Sequence, residues 1–429
     1  MEHVGEPLSP WREGLLDLHH ISTGLGVAAF FIFPDGTTML LDAGELDPTD
    51  PRTHSPRNTP PRPNGSRPPH EWIARYIRRM LAHESTPALD YALITHFHDD
   101  HMGIATDKAP PSPSGVYRQS GVTGVGDLLP IRTLLDRGHP DYDYPFALDD
   151  PRVAVWLAQH PGMIESYRQF SLTMQNYFQF LAWQQEHNGL RVERAQAGRS
   201  DQIGLQRKQG NDPGFEVRVV CANGEVWSGE GDGAQRHIPP IETLIAGGLL
   251  PDENLCSVGI RIGYGRFSYW NGADIPGIVE LDLPGWYDLE TPVARAIGAV
   301  DVHVLNHHGY RNTHNEFYVR TLRPRVMIQQ VWSADQPGHG VLKRLTSTWL
   351  YPGPRDLFAT DMLAAARVVI GDWLDRAYQS QHGHVVVRVE AGGERYWVIV
   401  LDDTTTTYHV KGVYGPYSPS AQNSPTMPG

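Results

Sequence analysis

Between Tyr91 and Gly103 the chain reads YALITHFHDDHMG. An apolar run here delivers His96, His98, Asp99, Asp100 and His101 within six residues. Imidazole and carboxylate are the side chains that ligate zinc, manganese or iron, and an open hydrolytic site needs several of them converging. His96 and His98 lie two apart, so an extended segment points them the same way. Asp100 and His101 follow once the chain turns. They can face a second ion roughly 3.5–4 Å from the first, the separation at which two metals clamp one hydroxide. Asp99 is read as a bystander. The segment offers at most four ligands, so two ions need more from elsewhere. Two other strand ends can supply them: Asp274 in YWNGADI, whose carboxylate can bridge two cations, and the pair His307-His308 in VLNHHGY. Alone, an Asp in a Gly-rich turn usually bonds its own backbone, and a His-His-Gly turn is usually surface. The spacing of the main cluster sets these apart.

Strands must carry these groups. GVAAFFIFPDGTTMLLDAG, residues 26–44, is a strand, a Pro-Asp-Gly turn and a second strand. Residues 47–69 are dense in Pro, Arg, Asn and Ser and read as a mobile surface loop. Apolar residues at helical spacing from Trp72 to Leu81 predict a helix over 70–84, with Arg75, Arg78 and Arg79 on its other side. A strand over 88–95 then meets the His cluster. Residues 153–187 read as aromatic helix interrupted near Pro161, and short strands recur at 215–221, 257–262, 267–270, 300–305 and 325–331. A late pair at 385–389 and 396–401 adds to an existing sheet. The expected organisation is one domain over 1–412, with insertions at about 47–69 and 107–215, and a disordered tail over 413–429. Mixed strands and helices give an α/β class.

The 429 residues carry a net charge of -13, which repels long duplex nucleic acid. The expected partner is a small molecule or a short single-stranded nucleic acid. Two cysteines, Cys221 and Cys256, make neither a disulfide framework nor a thiolate zinc site. No apolar run reaches the roughly 18 residues of a membrane span, and the N-terminus lacks a secretory pattern. A cytoplasmic location is the expectation.

TTMLLDAG, THFHDDH, NGAD and HHG, in this order and each after a strand, resemble the metallo-β-lactamase superfamily over roughly residues 15–345. ENLCSVGIRIGYGRFSYWNGAD followed by VLNHHGY is similar to the hydrolase domain of DNA-uptake competence proteins of the ComEC type. The resemblance implies a four-layer αβ/βα sandwich of two mixed sheets flanked by helices. It implies metal ligation by His96, His98, Asp100, His101, a bridging Asp274 and a terminal ligand from His307 or His308, of which His308, directly before Gly, is preferred, with Asp42 orienting a ligand histidine. It leaves Asp100, His307 and, in PGHG, His339 as the catalytic or substrate-facing candidates. One or two Zn2+ ions are implied, with Mn2+ or Fe2+ as alternatives. The implied activity is hydrolysis by metal-activated water, on a phosphodiester-type bond. Carboxyl-ester, lactone or thioester hydrolysis, with Tyr167 to Trp183 as a lid, is one alternative. A non-catalytic metal-binding regulator is the other. This chain departs from the pattern in two places. Val27 stands where an acidic residue is usual after Gly24-Leu25-Gly26. No third-motif histidine is singled out among His139, His160, His187 and His237.

Overall fold

Val27–Ile32 reads VAAFFI, and every residue in it is buried. Its side chains alternate between two cores: Ala29 and Phe31 enter one, and Ala28, Phe30 and Ile32 the other. A strand apolar on both faces demands a packed layer on each side. The computed structural model, which describes residues 2–82, 84–207, 214–247, 249, 252–279 and 283–420, supplies those layers as two nine-stranded sheets.

The chain first lays down β1 (Leu16–Ser22), β2 (Val27–Ile32), β3 (Thr38–Ala43), β4 (Leu89–Leu93), β5 (Ile131–Asp136) and β6 (Arg191–Arg194). It then builds a second sheet from β7 (Phe215–Ala222), β8 (Glu225–Trp227), β9 (Ala234–Arg236), β10 (Gly259–Tyr264), β11 (Phe267–Asn271), β12 (Val302–Val304), β13 (Val326–Gln329), β14 (Asp356–Ala359) and β15 (Tyr378–Ser380). Finally it returns to the first sheet with β16 (His384–Val389), β17 (Tyr396–Leu401) and β18 (Val410–Tyr417). The spatial orders are β18-β17-β16-β1-β2-β3-β4-β5-β6 and β15-β14-β13-β12-β11-β10-β7-β8-β9. Each sheet is antiparallel on one side and parallel on the other: β3 to β6 run parallel in the first, and β11 to β15 in the second.

Phe31, Leu41, Val219, Ile262, Tyr269, Ile328 and Val387 fill the space between the sheets. The outer face of the first sheet is covered by α1 (Pro69–Met80), α3 (Gly121–Leu128) and α5 (Ile164–Asn188), through Ile73, Ile77, Val125 and Phe180. Between α1 and α3 lies the one-turn α2 (Asp99–Met102), and α4 (Pro151–Gln159) precedes α5. Helices Glu290–Ile297 and Glu316–Leu322 cover the second sheet. The result is the expected four-layer αβ/βα sandwich.

Three boundaries differ from the sequence reading. The stretch 107–215 is no simple insertion, since it contributes β5 and β6 to the first sheet. Residues 413–417 belong to β18, which pairs with β17 through Ile399↔Val413, and 421–429 lie outside the described residues. The loop before α1 is tied down rather than free: Thr59 N–H donates to Trp332 O at 3.0 Å, and Arg62 reaches Asp361 at 3.0 Å. No helix among the described residues is long and apolar enough to cross a membrane.

Phe31 is fully buried between the sheets. Phe31→Ala should therefore cost about 3–5 kcal/mol of stability, read as a lower denaturant midpoint at unchanged slope.

Candidate metal centre

The parallel halves of the two sheets converge at one edge. Asp42 ends β3, Thr95 and His96 follow β4, Asp274 follows β11, and the Asn306–Gly309 turn follows β12. Ligands of open α/β sheets bind beyond such carboxyl ends, where successive loops diverge. The sheets are joined at this edge by Val258 N–H donating to Thr95 O at 2.9 Å.

Asp274 lies at the centre. Its carboxylate stands 3.3 Å from His101 Nε2, 3.4 Å from His308 Nε2 and 3.8 Å from both His96 Nε2 and His307 Nε2. Asp100 approaches the same imidazoles, 3.1 Å from His308 Nε2 and 3.6 Å from His101 Nε2. Ligand atoms of Asp100, His101, Asp274 and His308 all lie within 4.8 Å of one another, and all four residues are buried. Beside them, His96 Nε2 lies 3.1 Å from His98 Nδ1.

The donor set fits a divalent cation. Two buried carboxylates facing one point cost heavily unless a positive charge sits between them. Without a metal, protons take that place. Burial opposes charging His308, but the carboxylates of Asp274 and Asp100 push it up to about 9. The same balance, burial against Asp274 and Asp100, raises His101 well above the usual histidine range. Asp274 is held well below the usual carboxylate range, against burial, by His101 and His308. Oxygen and imidazole donors together suit zinc, manganese or iron.

The surroundings fix each ring. Asp42 accepts from Thr95 N–H, Thr95 Oγ1 and His101 Nδ1, each at 2.8 Å, so His101 Nε2 is left to face the cluster. Gly44 is required beside it, because a Cβ there would stand 1.8 Å from Asp100 O. His308 Nδ1 lies 3.2 Å from Gln330 O, and His307 Nδ1 lies 2.9 Å from Asn312 Oδ1, orienting both Nε2 atoms inward. Asp42, Ala273, His307 and His308 all adopt positive φ, at 59°, 49°, 47° and 55°. Left-handed non-glycine residues cost energy and persist where surrounding bonds over-determine them. Glu290 supplies those bonds for the histidine turn. It accepts from Asn306 Nδ2 at 2.8 Å and from the backbone of His314 and Asn315 at 2.7 and 2.8 Å. Burial pushes the Glu290 carboxyl up to about 8.

Sequence reasoning named Asp42, His96, His98, Asp100, His101, Asp274, His307 and His308, and the structure gathers them. It sets His339 elsewhere: exposed at the start of the helix His339–Leu345, edge-on to Trp373 at 5.6 Å. A helix begins where a strand-end loop was expected. Of the third-motif candidates, His160 stacks on Trp156, His187 on Trp183, and His139 meets Tyr142 edge-on. His237, which follows β9, is half-buried, and its backbone N–H donates to Gly224 O at 2.9 Å. The extra imidazole beside Asp274 is His307. Sequence reasoning missed Thr95, Glu290 and Asn312. Only Thr95, adjoining His96, carried a local signal.

No protein-family model and no curated protein matches the chain. Solved structures give faint likenesses. A protein assigned as a metal-dependent hydrolase from Parabacteroides distasonis ATCC 8503 aligns with TM-score 0.34 and 10% identity over 80% of this chain and 92% of that one. Zn(2+)-bound PqqB from Methylobacterium extorquens aligns with TM-score 0.31 and 13% identity over 84% and 86%. Hydrolase AbOPH, of the beta-lactamase superfamily, gives 0.30 and 13% over 63% and 74%. TM-scores this low establish no kinship, and the sandwich and its site stand on the chain's own geometry.

Metal and proton compete for His308, raised from 6.5 to about 9. Binding near pH 7 should therefore release protons, and affinity should climb as pH rises towards and through about 9, where His308 gives up its proton. Calorimetry in buffers of different ionisation enthalpy measures this, and metal uptake without proton release would contradict it. Asp42→Asn should weaken metal binding about 10–100-fold by loosening His101, measured by competition with a chelator.

Proposed function

We propose that this chain is a metal-dependent hydrolase of ester-type bonds. The observation that carries it is the convergence of Asp100, His101, Asp274 and His308 on one buried point beside the less buried His98 and His307. A structural metal site is closed on all sides, whereas a catalytic one keeps a face open for water and substrate. When bound, a divalent cation supplies Lewis acidity and lowers the pKa of water towards neutrality.

The chain's own groups do the rest. Asp100 and Asp274 hold the charge balance and orient the imidazoles. The side chain of His307 is 20% exposed on the open face. Burial lowers its pKa, with Asp274 pulling the other way, so at neutral pH its ring is an uncharged acceptor. It is placed to receive a proton or to hold the substrate. His339 has no part in this reading.

The bond cut is the finer question. The competence-type resemblance supports a phosphodiester in a small molecule or short single strand, and the net charge of -13 agrees with a substrate smaller than a duplex. A carboxyl-ester, lactone or thioester is favoured by a specific observation: α5 lines an aromatic cavity that reaches His98.

His98→Ala, or Asp100→Asn with His101→Ala, should abolish metal-dependent hydrolysis, a loss of about a thousandfold or more, with unchanged circular dichroism. Bis-p-nitrophenyl phosphate, a lactone and a thioester, assayed with Zn2+, Mn2+ and Fe2+, separate the bond classes. Tight metal binding with no turnover of any class would instead make the chain a metal-binding regulator.

A further inference from the structure

A cavity of about 530 Å³ opens beside His98 and is lined by residues of both α4 and α5. Its size falls within the range of small-molecule sites, which are mostly apolar with a few placed polar groups. Tyr142, Trp156, Tyr167, Phe170 and Phe178 form much of its wall. The cation on that wall is already committed. Arg137 makes paired bonds to Glu253 at 2.7 and 2.6 Å, donates to Tyr144 O at 2.9 Å, and lies 4.4 Å over the Phe97 ring. Asp252 and Glu253 also line the space. Among the described residues that line the cavity, an anionic tail would meet carboxylates and no unengaged cation. Met163, which also lines the cavity, is apolar and 46% exposed. His98 belongs both to this wall and to the imidazole cluster, so an occupant of the cavity places its attached group at the cluster.

Taking the hydrolase reading as its basis, we propose that this cavity seats a large, uncharged, apolar acyl group of the substrate, with the ester carbon delivered past His98 to the Asp100–His308 cluster. Burial of the acyl chain against aromatic walls supplies affinity in proportion to its area. The cluster contributes orientation of the polar end. Chain length then becomes the specificity-determining quantity, and α5 is the element that sets it.

Occupancy of the cavity can be measured apart from catalysis. N-phenyl-1-naphthylamine, an uncharged fluorophore, is titrated into metal-free protein, followed by displacement with 1-decanol. Saturable binding displaced by decanol is expected. Ser166, an exposed cavity-lining residue of α5, gives a variant that spares the core. Ser166→Arg should weaken probe binding about tenfold or more. In metal-loaded protein, kcat/KM for p-nitrophenyl carboxylates should rise from acetate to decanoate, and Ser166→Arg should flatten that rise. Absence of saturable binding, or binding unchanged by both Ser166→Arg and Phe170→Asp, would overturn the proposal. Displacement by adenosine but not by decanol would overturn it in favour of a stacked base. A protein inert towards every ester that still loses the probe on Ser166→Arg would uphold the cavity and refute hydrolysis.

Discussion

Asp100 and Asp274 are both buried and both face His308 Nε2, at 3.1 and 3.4 Å. Two like charges so placed repel each other and have lost their water, so the site exists only while something positive sits between them. Much of the local architecture answers that demand. Imidazoles surround the pair, Asp42 turns His101 towards it, and Gln330 and Asn312 aim the rings of the histidine turn. The cluster is a cation-shaped arrangement built from groups that could not otherwise share the space.

The price is concentrated in the backbone. Four non-glycine residues at the site hold left-handed conformations, two of them consecutive. Rigid neighbours on the second sheet hold the histidine turn there. Ala273 O accepts from His307 N–H at 2.9 Å, Gln329 Nε2 donates to His308 O at 2.7 Å, and Glu290 anchors Asn306. Two parallel half-sheets, packed face to face with their strand ends at the site, provide the fixed frame that loops alone would lack.

The ligand cluster was legible because its chemistry is written locally. Four of its members fall within six residues, from His96 to His101, and the others stand immediately after apolar runs. The sandwich was legible in part, through strands such as VAAFFI that are apolar at every position. What escaped were features decided by distant partners. Glu290 reads as an ordinary first-turn acid of its helix, and only the fold reveals that it caps Asn306. β5 and β6 were hidden in a stretch of loops and aromatic helix, since a strand's place depends on which neighbours pair with it. His339 was misplaced because a Gly-His pair opens a helix as readily as it closes a strand turn. Residues 413–417, rich in Gly, Pro and Tyr, gained strand structure from β17 rather than from their own propensity.

The return of the chain to its first sheet bears on how the molecule is made. β1 pairs with β2 on one side, and on the other with β16, where His20 meets Val385. During synthesis the first sheet therefore exposes one long flank of β1 until more than 380 residues have emerged. Such a flank can recruit foreign strands, and contacts this far apart close slowly. The strands that carry the His/Asp cluster, β3, β4, β11 and β12, are all complete well before that seam closes. The edge that carries the His/Asp cluster can thus assemble on a sandwich whose far side is still open, which makes the late hairpin β16–β17 the step that commits the whole molecule to its final form.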